Sequence, residues 1–160
     1  MAAARHGRRD MALFELKSLA AKACRDAQFA EIYHPLTGEI YGGLQENGPV
    51  VMKTWDSCRR QTWCATGFVQ MVLSTLFGQR VTTSGVCFSP VLPPGVQKMT
   101  LSGLSYRDAN LSVCVERSDD GPHITVNDVE SQESFVTADA SGAHNIRIRL
   151  PKDGDTGANR

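Results

Sequence analysis

Between Glu31 and Asp56 the chain gathers aromatic and polar side chains in a stretch punctuated by Pro35, Gly38, Gly42, Gly43, Gly48 and Pro49. Tyr33, His34, Tyr41 and Trp55 fall within it, and Trp63 follows closely. An indole face packs well against the C–H face of a sugar ring, which makes Trp55 and Trp63 candidate stacking platforms. The competing role for each is core packing. Tyr41, His34 and Gln45 carry donors and acceptors suited to hydroxyl groups. Loops of this length without regular structure are uncommon in compact domains and are usually functional. Of the carboxylates here, Glu39 sits within a turn, and Asp56 is placed to cap the helix that follows.

Two helices must hold this loop. From Met11 to about Gln28 there is no Pro or Gly, and Leu16, Leu19, Ala20, Ala23 and Ala27 recur at three- and four-residue spacing. That spacing predicts an amphipathic helix, with Leu13 and Phe14 widening its buried face and Asp10 as N-cap. A second helix is expected from Cys58 to Phe77, capped by Asp56 or Ser57 and stopped by a left-handed Gly78. Its apolar residues Phe68, Val69, Met71, Val72, Leu73, Leu76 and Phe77 go nearly all the way round. A helix of that kind has to be buried on most sides, so it calls for more neighbours than one helix and a small sheet.

After Gly78 the apolar period drops to two. Met99 and Leu101 alternate with polar neighbours, as do Leu111, Val113 and Val115, then Ile124 and Val126, then Ile146, Ile148 and Leu150. Turn signals at Asp119–Asp120–Gly121–Pro122 and Ser141–Gly142 separate these runs. Half-buried antiparallel strands follow, about six in number, as a small β-sandwich or folded sheet. The expected fold is therefore α+β: a helical segment over 1–79, a β-domain over 80–151 and a polar, disordered tail over 152–160. Arg107 and Arg147 give no distinctive signal in the β-half.

Composition narrows the function classes. The 17 Lys and Arg residues balance 17 Asp and Glu, so no overall field favours nucleic acid or an anionic membrane. Arg5, His6, Arg8 and Arg9 form a local basic cluster, read as a solvated terminus. The five cysteines are odd in number and contain no CxxC, a pattern of reduced, mostly buried thiols and not of a disulfide framework. The four histidines are scattered without ligand spacing, so neither a metal nor another cofactor is expected. No apolar run of signal-peptide length opens the sequence, and the apolar stretch from Phe68 to Phe77 is too short for a bilayer. The cytoplasm is the expected location.

The run Ile32–Tyr33–His34–Pro35–Leu36–Thr37–Gly38–Glu39–Ile40–Tyr41–Gly42–Gly43–Leu44–Gln45–Glu46 resembles the end of the catalytic barrel in six-hairpin glycosidases, the trehalases and related bacterial glucosidases among them. Gln61–Thr62–Trp63–Cys64–Ala65–Thr66–Gly67 is similar to the start of that family's last inner helix, with Cys64 in place of a small hydroxyl residue. Phe88–Ser89–Pro90–Val91–Leu92–Pro93 and Leu101–Ser102–Gly103–Leu104–Ser105–Tyr106–Arg107 resemble the β-domain that follows such barrels. Residues 14 to 117 carry the likeness.

What the resemblance implies is a C-terminal portion of a glycoside hydrolase acting on α-glucoside-like oligosaccharides. Such hydrolysis needs two carboxyl groups flanking the scissile bond. In the relatives the base lies in a glycine-rich loop near the barrel's end, and the matching position here is Glu46. Inversion is the outcome the resemblance favours. Leu44 and Gln45 interrupt the glycine run, a departure that bears on the Glu46 assignment. The partner acid has no candidate in this sequence. Two rings of six helices, at about 12 residues each, take roughly 140 residues before any loop is added. Two helices cannot supply that, so the chain is expected to be incomplete and inactive alone. Its partners would be a carbohydrate substrate and the missing barrel segment, or further copies of itself. The alternative is a stand-alone, non-catalytic carbohydrate-binding or scaffold module, which would bind sugar without cleaving it.

Overall fold

The computed structural model describes residues 7–46 and 52–152. The chain divides into two compact units, Met1–Val72 and Leu73–Arg160. The element order bears out an α+β fold, a helical pair followed by sheets: α1 (Arg9–Asp26), the β1–β2 hairpin (Gly43–Glu46 and Met52–Trp55) and α2 (Thr62–Thr75), then β3 (Arg80–Val81) and β4 (Gly85–Cys87). They are followed by β5 (Lys98–Tyr106), β6 (Ala109–Ser118), β7 (His123–Val126), β8 (Val129–Ser131), β9 (Phe135–Thr137) and β10 (Gly142–Pro151). None of the described helices is long and apolar enough to cross a membrane.

In the first unit α1 buries Ala12 and Leu16 and leaves Phe14 71% exposed. Asp10 is not its cap. The N-cap position is Arg8, without a side-chain cap bond, and Asp10 lies one residue inside the first turn. There the Met11 N–H, and then the Arg8 guanidinium, hold its carboxyl below the usual range. The helix closes on Ala27 in the left-handed region, whose N–H returns to the Ala23 carbonyl.

The stretch expected to be loop is more regular than its Gly and Pro content suggests. Tyr33 and Ile40 form an isolated antiparallel bridge, and β1 pairs with β2 from Gly43↔Trp55 to Glu46↔Met52. Four-residue strands are too short for a visible period of two, which is why composition hid them. The close approach of the strands fixes one glycine: a Cβ on Gly42 would lie 1.7 Å from the Trp55 carbonyl oxygen.

α2 starts at Thr62, later than expected, and neither Asp56 nor Ser57 caps it. The residues before it are hydrogen-bonded to 29–32 instead. Gln61 N–H donates to the Phe29 carbonyl, and Glu31 N–H to that of Cys58. Phe29 and Phe68 rings meet at 5.0 Å. Full burial of α2 is not found: among its residues only Thr75 is buried, and Val69 is 57% exposed.

In the second unit Gly78 does adopt φ +60 just past α2, and Gln79 N–H returns to the Leu73 carbonyl. A five-stranded sheet has the order β5-β6-β10-β7-β8, and a three-stranded sheet the order β3-β4-β9. The core lies under the larger sheet's centre, where Leu111, Val113 and Val115 of β6 and Ile146 and Ile148 of β10 are buried. β6 and β10 run parallel, with Val113 beside Ile146, so the sheet is mixed and not wholly antiparallel. A parallel pair needs a crossover, and β7, β8 and β9 supply it. The period-two runs forecast β5, β6, β7 and β10. The remaining strands, β3, β4, β8 and β9, are two or three residues long.

The cysteines are free, but they are not mostly buried. Cys24 and Cys58 are exposed and the other three are half-buried. Cys114 shows why: it alternates with buried Val113 and Val115 and so takes the opposite face of β6. Arg8 of the basic cluster pairs with Asp10 at 3.5 Å. Arg5, His6 and the tail after Lys152 lie outside the described residues.

Candidate functional site

The first unit concentrates its polar structure where the aromatic loop meets the approach to α2. His34 starts a tight turn: its N–H donates to the Glu39 carbonyl, and its own carbonyl accepts from Gly38 N–H. The His34 Nδ1 accepts the N–H groups of Leu36 and Thr37 at 3.3 and 3.2 Å. Two donors on one nitrogen place the ring proton on Nε2, which fixes the tautomer. Tyr41 closes the turn edge-on to His34, their rings 5.0 Å apart at 83°. Its ring is 47% exposed, and its N–H is bonded to the Ile32 carbonyl.

α1 anchors this turn. Arg25 donates to the Glu39 carboxylate at 3.2 Å and to the Gly38 carbonyl at 3.2 Å, and also engages Asp26. The Lys22 ammonium sits 5.3 Å above the Tyr33 ring. Glu39 is therefore tethered to the helix through Arg25.

The two tryptophans differ. Trp55 is half-buried, and a Cβ on Gly43 would lie 3.0 Å from its Nε1, so the indole lies along the hairpin backbone. Trp63, second residue of α2, is 66% exposed. Of the pair, Trp63 is the more exposed, and Trp55 lies against the hairpin backbone. Gln45 and Glu46 occupy the outer half of β1, opposite Lys53 and Met52. Their side chains fall outside the described residues, so only their backbone positions enter here.

Three residues organise this region in roles that the sequence did not indicate. Ser57 is buried, and its Oγ accepts the Ile32 N–H at 2.9 Å while donating to the Ile32 carbonyl. Glu31 accepts the Cys58 N–H on its carboxylate at 3.1 Å. The Cys64 thiol points at the Glu31 carbonyl, 3.6 Å away. Burial pushes that thiol's pKa up, a Trp63 hydrogen bond opposes the shift, and the nearby Glu31 and Cys58 groups add to it. The shift favours the thiol form, which donates to the Glu31 carbonyl. Such partners lie about 25 to 33 residues apart in sequence, and no local pattern links them.

Geometry brings His34 and Tyr41 together and sets Trp55 across from Gly43 at the foot of β1. No protein-family model matches the sequence, and no curated protein matches it.

Proposed function

We propose that the first unit forms one wall of a glycoside-hydrolase active site of the six-hairpin type, acting on α-glucoside-like oligosaccharides by acid/base hydrolysis. Glu46 is the base, Trp63 the stacking platform, and Tyr41, His34 and Gln45 the hydroxyl contacts. The general acid comes from outside this chain, as do the helices that complete the barrel. The observation carrying this reading is the uncovered apolar surface of the two helices, with Phe14, Trp63 and Val69 all more than half exposed. Single exposed apolar residues are ordinary; the further helices of a barrel would cover these three. The protein would act in the cytoplasm.

The test is reconstitution. The purified chain alone should hydrolyse no α-glucoside, and turnover should appear when helical hairpins of a related barrel are co-expressed with it. Glu46→Gln should then remove that turnover. Measurable hydrolysis by the chain alone would defeat the claim of incompleteness, and restored turnover indifferent to Glu46→Gln would defeat the assignment of the base.

A further inference from the structure

The second unit has a polar face that the hydrolase reading does not use. Across the five-stranded sheet, Thr100 of β5 pairs with Cys114 of β6, Cys114 with Arg147 of β10, and Arg147 with Thr125 of β7. These four side chains form one transverse row on the face opposite the buried valines and isoleucines. Ser112 and Asn145, paired with each other, stand in the neighbouring row. All of them line a pocket of about 200 Å³, with Asp128 also on its wall.

Arg147 is the only cation lining that pocket, and it makes no ion pair or hydrogen bond among the described residues. The carboxylates on this face are turned elsewhere, Glu130 of Arg147's own row included. Two residues along the strands, Glu116 faces Lys98 at 3.7 Å and Arg149 at 3.4 Å. Glu130 faces His123 at 3.6 Å. A guanidinium fork at the centre of a sheet, beside hydroxyls and not ion-paired to the Asp128 carboxylate that shares its pocket, is matched in geometry to a planar oxyanion.

We infer that this pocket binds a small carboxylate carried on a hydroxylated body, such as a hexuronic acid. Arg147 takes the carboxylate through two parallel N–H bonds. Thr100, Ser112, Thr125 and Asn145 meet the hydroxyls, and Asp128 accepts from a hydroxyl donor. No aromatic ring lines the pocket, so a neutral sugar has neither a stacking surface nor a charge to hold it. This site lies wholly within Leu73–Arg160, and its existence does not depend on the barrel reading.

Calorimetric titration of the full chain with glucuronate, glucose and glucose 6-phosphate tests it. Glucuronate should bind, glucose should not, and the phosphate should bind no more tightly than glucuronate. Arg147→Ala should weaken glucuronate binding by about tenfold or more, and Arg147→Lys by less, because a point charge replaces the fork. Arg107→Ala, outside the pocket, should leave binding unchanged, and added salt should weaken it. Far-UV circular dichroism checks that each variant remains folded. The site is overturned if glucuronate fails to bind at millimolar concentration, if glucose binds equally, or if folded Arg147→Ala binds as the parent does. Tighter binding of the phosphate overturns the choice of a carboxylate.

Discussion

Ser134→Ala offers the sharpest test of how this fold is held together. β4 and β9 pair through Cys87↔Phe135, and the next step of the ladder is made by a side chain. Ser134 Oγ accepts the Phe88 N–H at 2.9 Å and donates to the Phe88 carbonyl. Ser57 does the same for Ile32 in the first unit, so one device serves both units. The two sites differ in what alanine would leave behind. Ser134 is 3% exposed and its bond is buried, so removal strands the Phe88 N–H away from water, at about 1–3 kcal/mol. At Ser57 the bond is part-buried, and the Ile32 carbonyl keeps a second donor in Tyr41 N–H. Only one donor is left there, within partial reach of solvent, and the expected cost is about 0.5–1.5 kcal/mol. Urea unfolding followed by fluorescence and circular dichroism gives both free energies. Amide exchange gives the local answer, as Phe88 N–H should lose protection in Ser134→Ala while amides of β6 keep theirs. An equal or smaller penalty for Ser134→Ala than for Ser57→Ala, or an unchanged Phe88 exchange rate, would refute the reasoning.

Other consequences can be measured alongside. Leu111→Ala, at a fully buried position in β6, should destabilise the second unit by about 2–5 kcal/mol in the same urea experiment. Gly42→Ala forces a Cβ into the Trp55 carbonyl, so the β1–β2 amides should lose exchange protection, at about 1–3 kcal/mol. Trp63→Ala should leave stability within about 0.5 kcal/mol of the parent, since the ring is mostly exposed. On acidification, Asp26 is the group to follow: its bond from Arg25 lowers its carboxyl pKa below the ordinary 3.8. A lowered folded value means the contribution is present above pH 3.8 and disappears as pH falls through the lowered value. Acid titration of helicity should therefore show Asp26→Asn least different from the parent at the lowest pH.

What the sequence disclosed, and what it withheld, follows from the range over which each signal acts. β6 and β10 were legible because ten-residue strands repeat an alternation long enough to recognise, and Leu111, Val113, Ile146 and Ile148 all proved buried. Their parallel pairing was not legible, since register is set by a partner some 30 residues away and by the intervening crossover. The stop at Gly78 was legible because one residue type satisfies a positive φ. Helix starts were placed less well. Asp10 and Ser57 are residue types that cap helices, but each found a different partner, the first-turn amide for one and Ile32 for the other. The same limit governs the candidate site. Residue type nominated both tryptophans equally, and only the approach of Gly43 to Trp55 separated the packed ring from the more exposed one.

Arg147 carries this reasoning furthest. In the sequence it is one basic residue among seventeen, alternating with isoleucines in a strand. Its distinction is relational: the carboxylate of the adjoining row is shared by Lys98 and Arg149, and the positions beside Arg147 hold Thr125 and Cys114. Had Thr125 been an acid, the same arginine would be a cross-strand ion pair of about 0.2–1 kcal/mol and nothing more. Thr125→Glu therefore supplies a second, independent probe of the pocket. It should close the site by neutralising Arg147 in place, abolishing glucuronate binding, while the like charge of Glu130 directly opposite on β8 offsets any gain in sheet stability. A folded Thr125→Glu variant that binds glucuronate as the parent does would show that the guanidinium is not the anchor.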